Sequence, residues 1–153
     1  MPSELVFPRC EPLPYQRQST LLLAAVRDLH WPVMLDSGGC SGGRFDIIAA
    51  APAVTLTTRG GETTLARDGG VTRVTTDPFE LLRRLLGEPR RSFPQLPFEG
   101  GAVGYFGYDL ARRIERLPQL AKDLDQLPEM MLGIYDWAVV VDHRQQQAWL
   151  VGQ

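Results

Sequence analysis

The sequence predicts an α+β fold, mainly antiparallel sheets with inserted helices. Short Val- and Thr-rich runs separated by Gly60-Gly61 and Asp68-Gly69-Gly70 read as strands joined by hairpin turns. Helical periodicity is confined to a few short stretches, so strands arrive in runs and do not alternate regularly with helices. The run Phe98-Glu99-Gly100-Gly101-Ala102-Val103-Gly104-Tyr105-Phe106-Gly107-Tyr108-Asp109 sets four glycines among aromatics, which places backbone where side chains do not fit.

Taken in order, Leu5-Val6-Phe7 lies inside a proline-rich start and reads as a first short strand. Over 16–29, Leu21, Leu22, Ala25, Val26 and Leu29 recur at helical spacing after Ser19, a plausible cap, and predict an amphipathic helix with one buried face. Residues 31–35 read as a strand, 38–43 as its glycine-rich loop and 45–51 as the returning strand. Strands at 54–58, 62–66 and 71–75 follow, so that 31–76 reads as one meander. Asp77-Pro78-Phe79-Glu80 supplies a cap, a proline at the first helical position and a glutamate three residues past the cap. A helix is therefore predicted up to Leu86, stopping at Gly87. Residues 88–97 read as a surface connection, 100–106 as a strand with close backbone neighbours, and 108–115 as a short helical piece. Two strands, 131–142 and 147–151, flank the polar turn Asp142-His143-Arg144-Gln145-Gln146.

Composition narrows the function classes. The 153 residues fit one domain with a sizeable core. A net charge of -2, with arginines scattered among acids, gives no field for nucleic acid. No apolar run has the roughly 20 residues that span a bilayer, and the start lacks signal-peptide order, so a soluble, cytoplasmic protein is expected. Cys10 and Cys40 lack zinc-type spacing and read as free thiols. With only His30 and His143, any histidine metal site or Ser-His-Asp triad would rest on one or both, each at an ordinary element end.

The stretch 35–46 invites comparison with a phosphate loop, but Arg44-Phe45-Asp46 opens a strand where such a loop needs a helix. It reads as a hairpin loop or the rim of a small-ligand pocket, for which Ser37 and Arg44 are the available polar groups. Gly101, Gly104 and Gly107 do not have dinucleotide-fingerprint spacing and predict tight packing against another sheet or another part of a longer protein. Tyr105, Phe106, Tyr108, Tyr135 and Trp137 read as core or interface. The acids Asp123, Asp125, Glu62 and Asp68, and the arginines 83, 84, 90, 91, 112, 113 and 116, read as solvated surface. No catalytic set emerges.

Ser37-Gly38, Arg44-Phe45-Asp46-Ile47, Ala50-Ala51-Pro52, the block from Phe98 to Asp109 and Gly133-Ile134-Tyr135-Asp136-Trp137-Ala138 resemble the amino-terminal region of the chorismate-using synthases. That group contains anthranilate synthase component I and aminodeoxychorismate synthase component I, the para-aminobenzoate synthase component. The likeness runs from about Leu21 onward, and Arg44-Phe45-Asp46-Ile47 with Tyr135-Asp136-Trp137-Ala138 looks like the aminodeoxychorismate branch. The resemblance implies a single amino-terminal domain over 1–153, with the chorismate pocket, acid/base groups and magnesium ligands in a carboxy-terminal catalytic domain absent here. It implies that the full protein replaces a hydroxyl of chorismate with ammonia from a glutamine amidotransferase subunit, for folate biosynthesis. Val151-Gly152-Gln153 closes on a strand, which fits a longer parent chain. The resemblance also implies a tryptophan-like pocket at Leu35, Ser37, Arg44 and Phe45. Asp36 in place of a glutamate, a shorter loop and Gly42-Gly43 in place of a Tyr-Ser pair predict weak or no tryptophan binding. The alternatives are an anthranilate synthase component I amino-terminal domain or a free-standing amino-acid-binding regulatory module.

Overall fold

The structure, a computed structural model, describes residues 8–39, 42–88, 92–116, 118 and 125–152. It runs β1 (Arg9–Leu13), α1 (Thr20–Val26), β2 (Val33–Leu35), β3 (Phe45–Ala49), β4 (Val54–Arg59), β5 (Glu62–Arg67) and β6 (Gly70–Val74). There follow α2 (Pro78–Leu86), β7 (Gly101–Phe106), a 3₁₀ turn over Tyr108–Arg113, β8 (Met130–Tyr135), β9 (Trp137–Asp142) and β10 (Gln147–Gly152). The fold is α+β, as the sequence predicts. The chain forms two compact units, Met1–Pro52 with Glu88–Gly101 and Tyr135–Gln153, and Ala53–Gly87 with Ala102–Ile134.

The sheet of the first unit has the order β1-β10-β9-β3-β2, with antiparallel neighbours throughout. Its central strand β9 is buried on both faces, which is why Val139-Val140-Val141 is continuously apolar. Val139 and Val141 pack with Ile48, Ala148 and the α1 residues Leu22, Leu23 and Val26. Val140 packs on the other face with Val151, Leu96 and Phe45. Helix α1 is shorter than 16–29, and Leu21 and Leu29 are exposed. Its packed stripe is 22, 23 and 26, one residue out of phase with part of the predicted face. Ser19 occupies the N-cap position without a side-chain cap bond, because its hydroxyl is turned to another partner described below. The predicted strand at 5–7 lies outside the described residues; β1 begins at Arg9 and carries Pro12, tolerated because β1 is an edge strand.

The second unit holds the order β6-β5-β4-β8-β7. Val54, Leu56, Leu110, Met130, Leu132 and Ile134 form its core, with Phe79, Leu82 and Leu85 packed on them. Burial of each such side chain contributes about 1.5–3 kcal/mol before entropy is counted. Asp68 and Gly69 both take positive φ (51° and 75°), the two-residue hairpin that Asp-Gly predicts. Helix α2 matches its sequence signals: the Asp77 carboxylate accepts from the Phe79 and Glu80 amides at 3.0 Å each, and Gly87 ends it.

Two predicted continuities are broken. The expected meander over 31–76 divides at Ala51, which takes a left-handed φ of 52° and donates its amide to the His30 carbonyl at 2.6 Å. Its first hairpin belongs to one sheet and β4-β5-β6 to the other. The expected strand 131–142 is cut at Asp136 into β8 and β9, again in different sheets. Alternation in sequence reports extended backbone, and it is silent about which sheet a strand joins.

The glycine-aromatic block packs within its own neighbourhood. A Cβ at Gly104 would sit 2.0 Å from the Met131 carbonyl oxygen and 2.9 Å from the Leu132 Cα, both on β8. One at Gly100 would sit 2.9 Å from the Tyr135 carbonyl oxygen. At Gly104 and Gly100 the close neighbour is β8, the adjacent strand of the same sheet, and not a strand of the other sheet. The aromatics divide: Tyr135 is buried and Trp137 is packed against a core, whereas Tyr105, Phe106 and Tyr108 are exposed.

Candidate functional site

The start of β3 and the β9–β10 turn grip each other through two carboxylates. Arg44 donates from Nε and Nη2 to Asp142 Oδ2 at 3.0 and 2.7 Å. Asp142 Oδ1 accepts from the Arg144 and Gln145 amides at 2.9 and 3.0 Å, and the His143 amide donates to the Arg44 carbonyl at 2.9 Å. Asp142 is 1% exposed. Burial pushes its carboxyl up, but the Arg44 hydrogen bond, the Gln145 amide, the Arg44 charge and the Arg144 amide outweigh that and hold it below the usual range. The Arg44 guanidinium lies 4.5 Å over the Phe45 ring.

Strand alternation sends Asp46 to the face opposite Phe45, where it is 4% exposed. The Ser37 amide and hydroxyl both donate to Asp46 Oδ1 at 2.8 Å, and His143 Nε2 stands 2.7 Å from Oδ2. Burial again pushes the carboxyl up, and hydrogen bonds from the Ser19 hydroxyl, the Ser37 amide, His143 and the Ser37 hydroxyl bring it down to about 2. Beside it opens a groove of about 780 Å³ whose walls include Tyr15, Ser19, Met34, Asp36, Asp46 and His143.

Ser19, His143 and Asp46 therefore meet, yet not as a nucleophilic triad. In a triad the carboxylate holds one ring nitrogen and the serine the other. Here Ser19 Oγ (3.4 Å) and Asp46 (2.7 Å) share Nε2, while Nδ1 bonds the Tyr15 hydroxyl at 3.1 Å. Ser19 is also only 3% exposed, although it lies in the groove wall. The set ties segments together and lacks the partner arrangement of a triad.

The four residues predicted for an amino-acid pocket are split by this arrangement. Leu35 pairs with Ile47 on edge strand β2 and is half exposed, and Phe45 is packed near Leu96 and Val140. Both stand on the sheet face opposite Met34 and Asp46, which line the groove. Ser37 is bonded to Asp46 and Arg44 to Asp142. The sequence places Asp142 and His143 in a polar turn and Asp46 at a strand start, but gives neither their partners nor the part of Tyr15. The signal was available: a charge inside Phe45-Asp46-Ile47-Ile48 and another closing Val139-Val140-Val141 each demand a buried partner.

A second cleft of about 470 Å³ lies in the other unit, between Arg59, Tyr105, Tyr108, Arg112 and Glu129. Cys10 is a free thiol, pushed up by burial and by Glu99 nearby, and Cys40 lies outside the described residues, as do Asp123, Arg90 and Arg91. Among the described residues no three His, Cys, Asp or Glu side chains gather to hold a metal. Among the described residues no helix is long and apolar enough to cross a membrane.

Comparison with known proteins places this architecture. The chorismate binding enzyme family matches residues 32–153. This chain belongs to that family. Within the family it is 45% identical to aminodeoxychorismate synthase component 1 of Escherichia coli over 122 residues, 76% of this chain and 27% of that protein. It is 44% identical to the Salmonella typhimurium protein of the same name over 134 residues, 84% of this chain and 29% of that one. Anthranilate synthase component 1 of Acetivibrio thermocellus is 35% identical over 117 residues, 74% of this chain and 24% of that one. The solved structure of anthranilate synthase component I from Streptococcus pneumoniae superposes with a TM-score of 0.61 at 27% identity, covering 84% of this chain and 28% of that one. The chain thus spans less than a third of the length of these family members. The Arg44–Asp142 and Asp46–His143 contacts join Arg44-Phe45-Asp46 to Asp142-His143 in this chain.

Proposed function

We propose that this chain is the amino-terminal part of an aminodeoxychorismate synthase component I. The full-length form converts chorismate and ammonia, supplied from glutamine by an amidotransferase subunit, to 4-amino-4-deoxychorismate. The part described here carries no chemistry of its own and supports a catalytic domain that follows it. One observation carries the reading: identity of 45% to the Escherichia coli aminodeoxychorismate synthase component, against 35% to an anthranilate synthase, over stretches of similar length. The buried acid groups agree with a supporting role, because Asp46 and Asp142 spend their oxygens on internal donors.

Within this reading tryptophan binds weakly or not at all at Leu35, Ser37, Arg44 and Phe45. The Ser37 hydroxyl and the Arg44 guanidinium, the polar groups such a ligand needs, are committed to Asp46 and Asp142. A chimera tests the assignment. This chain replaces the matching amino-terminal part of the Escherichia coli enzyme in a strain lacking that gene, and growth without para-aminobenzoate is scored. Growth is expected; a folded, expressed chimera that supports only anthranilate formation, or neither product, overturns the proposal.

A further inference from the structure

The groove in the first unit has walls from three distant pieces of chain: residues 15–20, 36–39 and 143–146. Two of the three have little local support of their own. Helix α1 has seven residues, below the length at which a helix is stable alone, and its N-cap hydroxyl makes no cap bond. Residues 36–39 carry Gly38 and Gly39, both at positive φ (70° and 58°), and lie outside any strand. The turn after β9, with Gln146 at φ 54°, is capped by the Asp142 carboxylate through the Arg144 and Gln145 amides and meets the groove through His143.

All three converge on one carboxylate. Ser37 holds Asp46 Oδ1 twice at 2.8 Å, His143 holds Oδ2 at 2.7 Å, and the Ser19 hydroxyl approaches His143 Nε2 at 3.4 Å. Tyr15 closes the circuit on His143 Nδ1 at 3.1 Å and meets the ring edge-on, with centroids 5.9 Å apart. Gly43 lets the loop approach: a Cβ there would sit 2.6 Å from the Ser37 carbonyl oxygen. A buried carboxylate that loses one donor must find another or become exposed, so failure of one arm weakens the rest.

We propose that Asp46 is the hub of a conformational latch that makes the three walls of this groove open and close as one cooperative unit. Loosening any arm releases the other two, so a perturbation at the loop of residues 36–39 is felt at the β9–β10 turn and at the start of α1. The latch couples sites that sequence separates by up to 128 positions. It stands independently of the assignment to a synthase.

Hydrogen exchange read by mass spectrometry on the intact chain tests it, with Ser37→Ala and His143→Ala each removing one arm. Each variant is expected to speed exchange by ~10-fold or more in all three segments, 15–23, 36–39 and 143–147, including those it does not touch. Amides of the β4–β5 hairpin serve as the unchanged reference. His143→Gln, which keeps a donor facing Asp46, is expected to restore exchange toward that of the unsubstituted chain. Faster exchange confined to the substituted segment, or His143→Gln as disruptive as His143→Ala, overturns the latch.

Discussion

Gly104→Ala isolates the reason for the glycine-aromatic block. The new methyl would lie 2.0 Å from the Met131 carbonyl oxygen and 2.9 Å from the Leu132 Cα. An acceptable carbon–oxygen contact is about 3.3 Å, so β7 must move away from β8 by roughly 1 Å or more. Both obstructing atoms are backbone, and no side-chain rotamer can yield. Displacement on that scale stretches the ladder bonds of an edge strand and strains its packing. Overpacking together with weakened hydrogen bonds costs about 3 kcal/mol, less a few tenths recovered from the stiffer unfolded chain. At about 2–4 °C per kcal/mol for a chain of this size, the melting temperature should fall by roughly 6–12 °C. Gly61→Ala is the matched control, since a Cβ there meets nothing within 4 Å and should change stability by no more than about 0.5 kcal/mol. Urea titration of both variants gives the comparison. Equal stability of the two would refute the close-approach explanation.

Other outcomes follow from named contacts. The Asp46 carboxyl, held at about 2 in the folded chain, lies below its unfolded value of about 3.9, so its contribution is complete above the unfolded value and disappears as pH falls through the folded one. Stability from this group should drop by ~2 kcal/mol between about pH 5 and 2, and Asp46→Asn should flatten that part of the acid denaturation curve. Arg44→Ala strands the nearly fully buried Asp142 carboxylate and should cost about 2–3 kcal/mol in chemical denaturation, with Arg44→Lys recovering only part because one of the two N–H donors to Asp142 Oδ2 is lost. Asp77→Ala removes the acceptor for two α2 amides and should cost about 1 kcal/mol in the same assay. Tryptophan at millimolar concentration should leave the melting temperature unchanged; a clear rise would restore the pocket at Leu35, Ser37, Arg44 and Phe45.

Much of the fold was legible because its signals are local. Asp77-Pro78 through Gly87 fixed a helix to the residue, and Asp68-Gly69 fixed a hairpin, since caps and turns are decided by neighbours in sequence. The sheet assignments were not legible. Nothing in Met131 to Asp142 marks Asp136 as the point where the chain leaves one sheet for the other, and Ala51 has no glycine to announce its left-handed turn. The phase of α1 was misread because Leu21 is apolar and exposed while Leu23 is packed, a choice made by tertiary contact. The polar cluster escaped for a related reason: Tyr15, Ser19, Ser37, Asp46 and His143 are ordinary residues in sequence and become a set only when β3 and β9 pair.

The most direct measurement is turnover of chorismate by this chain alone, supplied with ammonium and magnesium and followed by chromatography for aminodeoxychorismate and anthranilate. If the chain is a supporting part whose acid groups are occupied by internal partners, neither product should form above the protein-free rate. Product that rises in proportion to protein and vanishes on heat denaturation would contradict it.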